Sequence, residues 1–381
     1  MINLKLAFVS NYYNHHVKPL CEELYKRLGS DFRFISTSVM RKERMELGYK
    51  QLTDPRFVLD SYEGEQQREE AVRLINGADI VIAGAAPDVM LAERMKSGKP
   101  VFRYSERPFK EKISLLKRIY HSFSFHARDH GNKNVCMLCA SAYAAADFKS
   151  IGMYKNRAYK WGYFPVTRTY DPEDLIAKKD PKTILWCGRF LDWKHPDDAL
   201  SVAARLKTSG YDFCMNIIGS GEMKQDLTRM ADAAGLTDRV RFLGSMSPDE
   251  VRGHMEQAGI LLFTSDRFEG WGAVLNEAMN SGCAVVASHA AGSVPFLIDD
   301  NRNGLIYESG NVEMLYRKVS YLLSHLERQA ELGAGAYHTI IDEWNAETAA
   351  ERLIGLAEQS VVEKTAPHFY ESGICSKAQV L

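Results

Sequence analysis

The chain of 381 residues is poor in cysteine: seven are present, an odd number, mostly inside apolar runs. That excludes a disulfide-stapled scaffold and reads as reduced core thiols of a cytosolic protein. No stretch approaches the run of about 20 apolar residues that a membrane-spanning helix needs. The opening Met1–Ser10 stretch is short, alternating and soon polar, so it reads as a first strand and not as a secretory signal. No G-x-G-x-x-G follows that strand, which argues against a dinucleotide oxidoreductase. No Asp-x-Asp pair is present to hold a metal against a diphosphate. What is there is ordinary for a globular protein: 45% apolar and 25% charged residues, which excludes disorder or a collagen-like chain.

The net charge of −1 hides an asymmetry. Residues 1–165 carry 27 Lys and Arg against 18 Asp and Glu, and residues 166–381 carry 21 against 31. Two halves of opposite sign fit two domains. The basic half points to an anionic partner: a phosphorylated acceptor, an anionic lipid surface or nucleic acid. Nucleic acid is disfavoured, because the basic residues are scattered and form no known binding module.

Strand and helix signals alternate along both halves. In the first, apolar runs at Leu4–Ser10, Asp31–Ile35, Asp79–Ala83, Pro100–Tyr104 and Asn134–Ala140 read as strands. Helical spacing follows at 17–28, 88–96, 110–123 and 141–149. Residues 38–62, with Arg41, Lys42, Arg44, Lys50 and Arg56, read as a surface loop. In the second half, strands are expected at Thr183–Cys187, Phe213–Ile218, Val240–Leu243, Ile260–Thr264, Ala284–Ala287 and Leu305–Tyr307. Helices are expected between them and over 311–326 and most of 328–360. This grammar predicts an α/β protein with two Rossmann-like parallel-sheet domains facing across a cleft. The boundaries are 1–165, a linker at 166–181, 182–345, and a C-terminal helix and tail at 346–381, the helix crossing back to the first domain. Ligands of such sheets bind outside the carboxyl ends of the strands.

Two loops at strand ends carry the chemistry. Phe268-Glu269-Gly270-Trp271-Gly272 leads into a helix that contains Val274, Leu275 and Glu277. The first amides of that helix are free donors at a positive dipole end, and the glycines admit close approach of a diphosphate. Two carboxylates beside a phosphate make sense if they accept hydrogen bonds from sugar hydroxyls. The second loop, Cys187-Gly188-Arg189-Phe190-Leu191-Asp192-Trp193-Lys194, offers a guanidinium and an ammonium five residues apart, which can clamp adjacent phosphates. Read singly, Glu277 is an ordinary helix charge and Arg189 with Lys194 an ordinary surface pair. The two loops together favour phosphate binding.

These residues resemble the donor domain of GT-B glycosyltransferases, specifically the large retaining family numbered four. The likeness is carried by Gly188, Arg189 and Lys194 as a glycine–arginine–x4–lysine loop, and by Glu269 and Glu277 as a glutamate–x7–glutamate motif. Gly219 and Gly221 form a Gly-x-Gly strand end, and Gly244 closes the strand Arg241-Phe242-Leu243. The resemblance covers about 180–345. It implies that Arg189 and Lys194 bind the nucleotide diphosphate and stabilise it as it leaves. It implies that Glu277 takes the ribose hydroxyls, that Glu269 approaches the donor sugar, and that amides near Val274 and Leu275 hold the distal phosphate. It implies too that Gly219, Gly244 and Gly272 belong to the same nucleotide-sugar site, with the backbone around Gly244 facing the base. No metal or other cofactor is expected.

The first half departs from that family's pattern. Its first loop, Asn11-Tyr12-Tyr13-Asn14-His15-His16, has no glycine pair, and Glu106 stands where a histidine is often found. His16 and Glu106 are the candidates for orienting an acceptor or handling its proton. Cys136-x-x-Cys139 reads as core strand and not as a zinc knuckle. Residues 103–125 combine basic residues with Ile113, Leu115, Leu116, Ile119, Tyr120 and Phe123, the pattern of a helix that contacts an anionic membrane peripherally. The expectation is a retaining, metal-independent hexosyltransferase acting on a glycan or lipid-linked acceptor in bacterial surface polysaccharide synthesis, placed in the cytoplasm at the inner face of the membrane. A nucleotide-sugar epimerase on the same frame and a non-catalytic nucleotide-sugar-binding protein are the alternatives.

Overall fold

A computed structural model describes residues 4–42, 45, 51–364 and 366–381. Met1–Asn3 of the opening stretch, and Arg44 and Lys50 of the loop at 38–62, lie outside the described residues. The chain divides into two compact units, Met1–Val166 with Asn345–Leu381, and Thr167–Trp344.

The first unit holds seven strands: β1 (Leu6–Ser10), β2 (Phe32–Ser36), β3 (Val58–Asp60), β4 (Ile80–Ala83), β5 (Val101–Ser105), β6 (Val135–Cys139) and β7 (Ala158–Lys160). Their order is β3-β2-β1-β4-β5-β6-β7, all parallel. The central strands read as unbroken apolar runs because helices cover both faces of a parallel sheet. Cys136 and Cys139 are buried in β6, and burial pushes the Cys136 thiol up to about 12, so it is held as a protonated core group. The segment at 38–62 is not all loop. It supplies the edge strand β3, and Arg56 is tied to Asp54 (Nη2 to Oδ2, 2.5 Å).

The chain returns to this unit at Asn345, whose side chain accepts from the Thr348 amide (2.8 Å) and starts the helix Ala346–Glu363. The helix expected over 328–360 is therefore broken into Leu326–His338, a π turn at Thr339–Glu343 and this capped segment. The tail then covers the open edge of β7. The Lys160 amide donates to the Ser376 carbonyl (2.7 Å), the Ala378 amide donates to the Ala158 carbonyl (3.0 Å), and the Tyr159 hydroxyl donates to the Pro367 carbonyl (2.7 Å). Covering an edge removes a template for unwanted strand pairing.

The second unit holds β8 (Asp180–Cys187), β9 (Cys214–Ile218), β10 (Val240–Gly244), β11 (Ala258–Phe263), β12 (Ala284–Ser288) and β13 (Leu305–Tyr307). The order is β10-β9-β8-β11-β12-β13, all parallel. Ile184, Trp186, Ile217, Leu262 and Val286 are buried in its core. The run 166–181, read as a linker, contains the helix Pro172–Ala177, where Asp171 accepts from the Asp174 amide and Pro172 fits the first turn. The strand order reverses between β8 and β11, the first and fourth strands of the unit. That is the switch point where a crevice for ligands opens in this class of sheet.

Candidate functional site

The two loops singled out in the sequence follow β8 and β11, so they sit side by side at the switch point. They are also bonded to each other. The Trp186 indole donates to Thr264 Oγ1 (2.8 Å), and that hydroxyl donates to the Lys194 carbonyl (2.6 Å). The Asp266 amide donates to the Trp193 carbonyl (3.0 Å), and Asp266 Oδ2 meets His195 Nε2 at 3.3 Å. The sequence reading missed Thr264, Ser265 and Asp266. Their signal was available: three small polar residues directly after an apolar strand mark a strand-end loop.

Gly219 and Gly221 bring a third loop in. Their φ angles are +137° and +154°. A Cβ on Gly219 would lie 1.9 Å from the Gly188 carbonyl oxygen, and one on Gly221 would lie 2.6 Å from the Phe190 carbonyl oxygen. The missing side chains thus let the Gly219–Gly221 turn press against the Arg189 loop, where the Phe190 amide donates to the Ser220 carbonyl (2.8 Å). Gly219 accordingly acts through loop packing. Gly244 ends β10, and its carbonyl accepts from the Gly219 amide (2.8 Å).

Lys194 and Glu269 meet. The Lys194 ammonium donates to Glu269 Oε2 at 2.5 Å, with the two side chains only 13% and 11% exposed. The Ser265 hydroxyl donates to the same oxygen (3.2 Å), and the ammonium also lies 4.7 Å from the centre of the Trp193 ring. A carboxylate beside a phosphate site is tolerable when an ammonium neutralises it, and this contact does so. Arg189 is exposed and makes no ion pair among the described residues, which leaves its fork open to a ligand.

Gly272 caps the helix Ala273–Asn280 with φ +87°. A Cβ there would fall 2.4 Å from Phe263 Cζ, so glycine is required. The Ala273 and Val274 amides make no hydrogen bond among the described residues and point from a positive helix end. The Leu275 amide is different: it already donates to the Gly272 carbonyl (3.0 Å), so the free pair is one residue earlier than the expected Val274 and Leu275. The tight first turn causes this shift.

Glu277 lies on the same helix, largely buried. Burial pushes its carboxyl above the ordinary range, while Arg252 and Arg168 pull it down. The Cys187 thiol at the end of β8 rises to about 12, chiefly by burial; Glu277 raises it further and Lys194 opposes. The charges of both motifs therefore reach one point at the end of β8. Arg252 and Arg168 are in turn tied to Asn280, whose Oδ1 accepts from Arg252 Nη2 (2.5 Å) and from the Arg168 amide (2.8 Å).

One cluster of metal-ligand type exists among the described residues: His195, Asp197 and Asp198, with ligand atoms within 4.8 Å of one another. It sits at the first turn of the helix Pro196–Thr208, whose positive end opposes a cation.

In the first unit the structure gathers the two acceptor-side candidates around a residue the sequence reading passed over. The Tyr163 hydroxyl donates to Glu106 Oε1 (2.6 Å), and the His16 ring stacks against Tyr163 with centroids 6.0 Å apart and planes at 23°. His15 lies against His16, centroids 4.0 Å apart, and burial lowers its pKa. Tyr163 follows the short strand β7, and nothing in its local sequence marked it.

Solved structures share this architecture. An Anabaena protein, Alr3699/HepE in complex with UDP, aligns over 92% of this chain and 99% of its own, with 15% identity and a TM-score of 0.65. The lipopolysaccharide outer core galactosyltransferase WaaB, in its apo form, aligns over 95% of this chain and 99% of its own, with 18% identity and a TM-score of 0.65. The fold is that of GT-B glycosyltransferases. Residues 167–339, the segment that contains all the donor-side motifs, match the family model of glycosyl transferases group 1.

Curated relatives align over a little under half of this chain. An uncharacterized glycosyltransferase of Haemophilus influenzae is 28% identical over 181 residues, 45% of this chain and 50% of its own. A GDP-mannose-dependent alpha-(1-6)-phosphatidylinositol monomannoside mannosyltransferase of Mycobacterium tuberculosis is 24% identical over 177 residues, 45% of this chain and 46% of its own. The chain thus spans about half the length of the curated relatives it matches.

Proposed function

We propose that the protein transfers a hexose from a nucleotide-diphosphate sugar to a glycan or lipid-linked acceptor, with retention and without a metal. One observation carries this: an open guanidinium, a carboxylate-paired ammonium and two unbonded amides of a helix end are set on adjacent strand-end loops at the switch point of the second unit. That is a site for a diphosphate. Arg189, Lys194 and the Ala273 and Val274 amides stabilise the charge that develops as the anomeric carbon–oxygen bond breaks, an electrostatic contribution that is usually large. With those cations and the helix end, the leaving group needs no metal counter-charge. Glu277 accepts from the ribose hydroxyls, and Glu269, held by Lys194 and Ser265, accepts from the donor sugar.

The acceptor hydroxyl forms the new bond to an oxocarbenium-like carbon, and its proton passes to the departing diphosphate on the same face. His16, Tyr163 and Glu106 are assigned to the acceptor. Support for the sugar-nucleotide class comes from the match to the group 1 family model, from the neighbour whose structure holds UDP, and from the relative named for GDP-mannose.

The test is release of nucleoside diphosphate from UDP- and GDP-sugars by the purified chain, with EDTA added and with Arg189→Ala. Release that survives EDTA and falls at least about tenfold in Arg189→Ala supports the reading. Conversion of the sugar without an acceptor or release identifies an epimerase. Tight binding without turnover over a broad acceptor set identifies a binding protein. NMR of the product anomer decides retention.

A further inference from the structure

We infer that the helix Leu115–Arg128 is a membrane-docking element that inserts its outer face into an anionic bilayer. No residue of this helix is buried. Leu115, Leu116, Ile119, Tyr120 and Phe123 are 72%, 79%, 47%, 69% and 72% exposed. At about 100° per residue the five fall within an arc of roughly 140°. The opposite side holds the helix to its unit. His121 lies 5.1 Å from the Phe109 ring, Phe125 lies 5.6 Å from Phe148, and the Arg128 guanidinium covers Phe125 at 4.1 Å.

The helix is therefore apolar on two faces and uses only one for packing. An ordinary surface helix turns polar residues outward, and a contiguous apolar stripe on a surface marks something that covers it.

Charge identifies the occupant as a bilayer. Lys112, Lys117 and Arg118 border the stripe, are exposed and make no ion pair among the described residues. Residues 110–128 contain five Lys and Arg and one Asp or Glu, and residues 101–165 contain twelve against four. A protein partner would need a matching acidic rim around an apolar pocket, whereas an anionic bilayer supplies both at once. Its headgroups attract the basic residues, and its acyl region receives leucine, phenylalanine and tyrosine at the depth of the interface. No helix among the described residues is long and apolar enough to cross a membrane, so the contact is in the plane of the surface. The inference needs no nucleotide and no transfer chemistry, so its failure leaves the proposed reaction untouched.

The test is flotation of the full chain with phosphatidylcholine vesicles, with and without roughly 30% phosphatidylglycerol. The wild type is expected to float with the anionic vesicles and to stay behind with the neutral ones. Leu116→Glu/Phe123→Glu is expected to cut the floated fraction at least about tenfold while the thermal transition stays in place, because both side chains are exposed. Lys117→Gln/Arg118→Gln weakens binding to the anionic vesicles in the same direction. Three results overturn the proposal: a wild type that ignores anionic vesicles, binding that the two glutamates leave unchanged, or equal binding to neutral vesicles. A wild-type dimer that the glutamates split, with no vesicle binding, also overturns it and makes the stripe a contact between copies.

Discussion

Replacing Lys194 with methionine keeps the stem of the side chain and removes its charge. In the structure this leaves Glu269 buried, with the Ser265 hydroxyl as its remaining polar contact in this group. Breaking a buried pair from one side costs about 3–5 kcal/mol, because the surviving charge has no partner and no water. For a unit the size of Thr167–Trp344, at about 2–4 °C per kcal/mol, the thermal transition falls by roughly 6–20 °C. Adding Glu269→Gln removes the buried charge and restores most of the loss.

Binding behaves differently. The ammonium is a phosphate ligand in this account, so UDP or GDP affinity falls about 10–100-fold in the single variant and stays low in the double. Differential scanning fluorimetry and titration calorimetry on the two variants separate the effects. A Lys194→Met transition within about 2 °C of the wild type would refute the buried-pair reasoning. A double variant with wild-type affinity for both nucleotides would refute the phosphate role.

Further outcomes follow from the same geometry. Gly272→Ala forces a side chain into φ +87° and against Phe263 Cζ at 2.4 Å; we expect a loss of about 2–3 kcal/mol by chemical denaturation together with lost diphosphate affinity. Asp198 is buried beside Asp197, and its carboxyl is raised to about 6, although His195 lowers it. The folded state thus holds this proton more tightly than the unfolded state, so the stabilisation is complete below about pH 4 and is lost as pH rises through about 6. Asp198→Asn should therefore stabilise by up to about 3 kcal/mol at pH 8, the gain fading toward pH 4 in a series of thermal melts. A gain independent of pH contradicts this assignment.

The parallel core was legible because its strands are runs such as Thr183–Cys187 and Asp79–Ala83, apolar on both faces and closed by polar strand-end loops. Elements at the margin were not. β3 and β7 have three residues each, too short for a period to emerge. The helix Glu65–Gly77 buries only Ala71 and Ile75, so its apolar stripe is nearly absent. The tail pairs with β7 through backbone groups, which no side-chain pattern announces.

On the site, spacing revealed both motif loops because glycines and charges cluster there within a few residues. The contact between Lys194 and Glu269 spans 75 positions and depends on β8 and β11 being neighbours, which only the topology supplies. Tyr163 was invisible for the same reason. Its value lies in reaching Glu106 across 57 positions, and an isolated tyrosine carries no local mark.

The most direct test is a crystal structure of the wild-type chain grown with saturating UDP. Both phosphates are expected within hydrogen-bond reach of Arg189, Lys194 and the Ala273 and Val274 amides, with Glu277 on the ribose. A diphosphate bound elsewhere, with the switch point of the second unit closed by protein atoms, would contradict it.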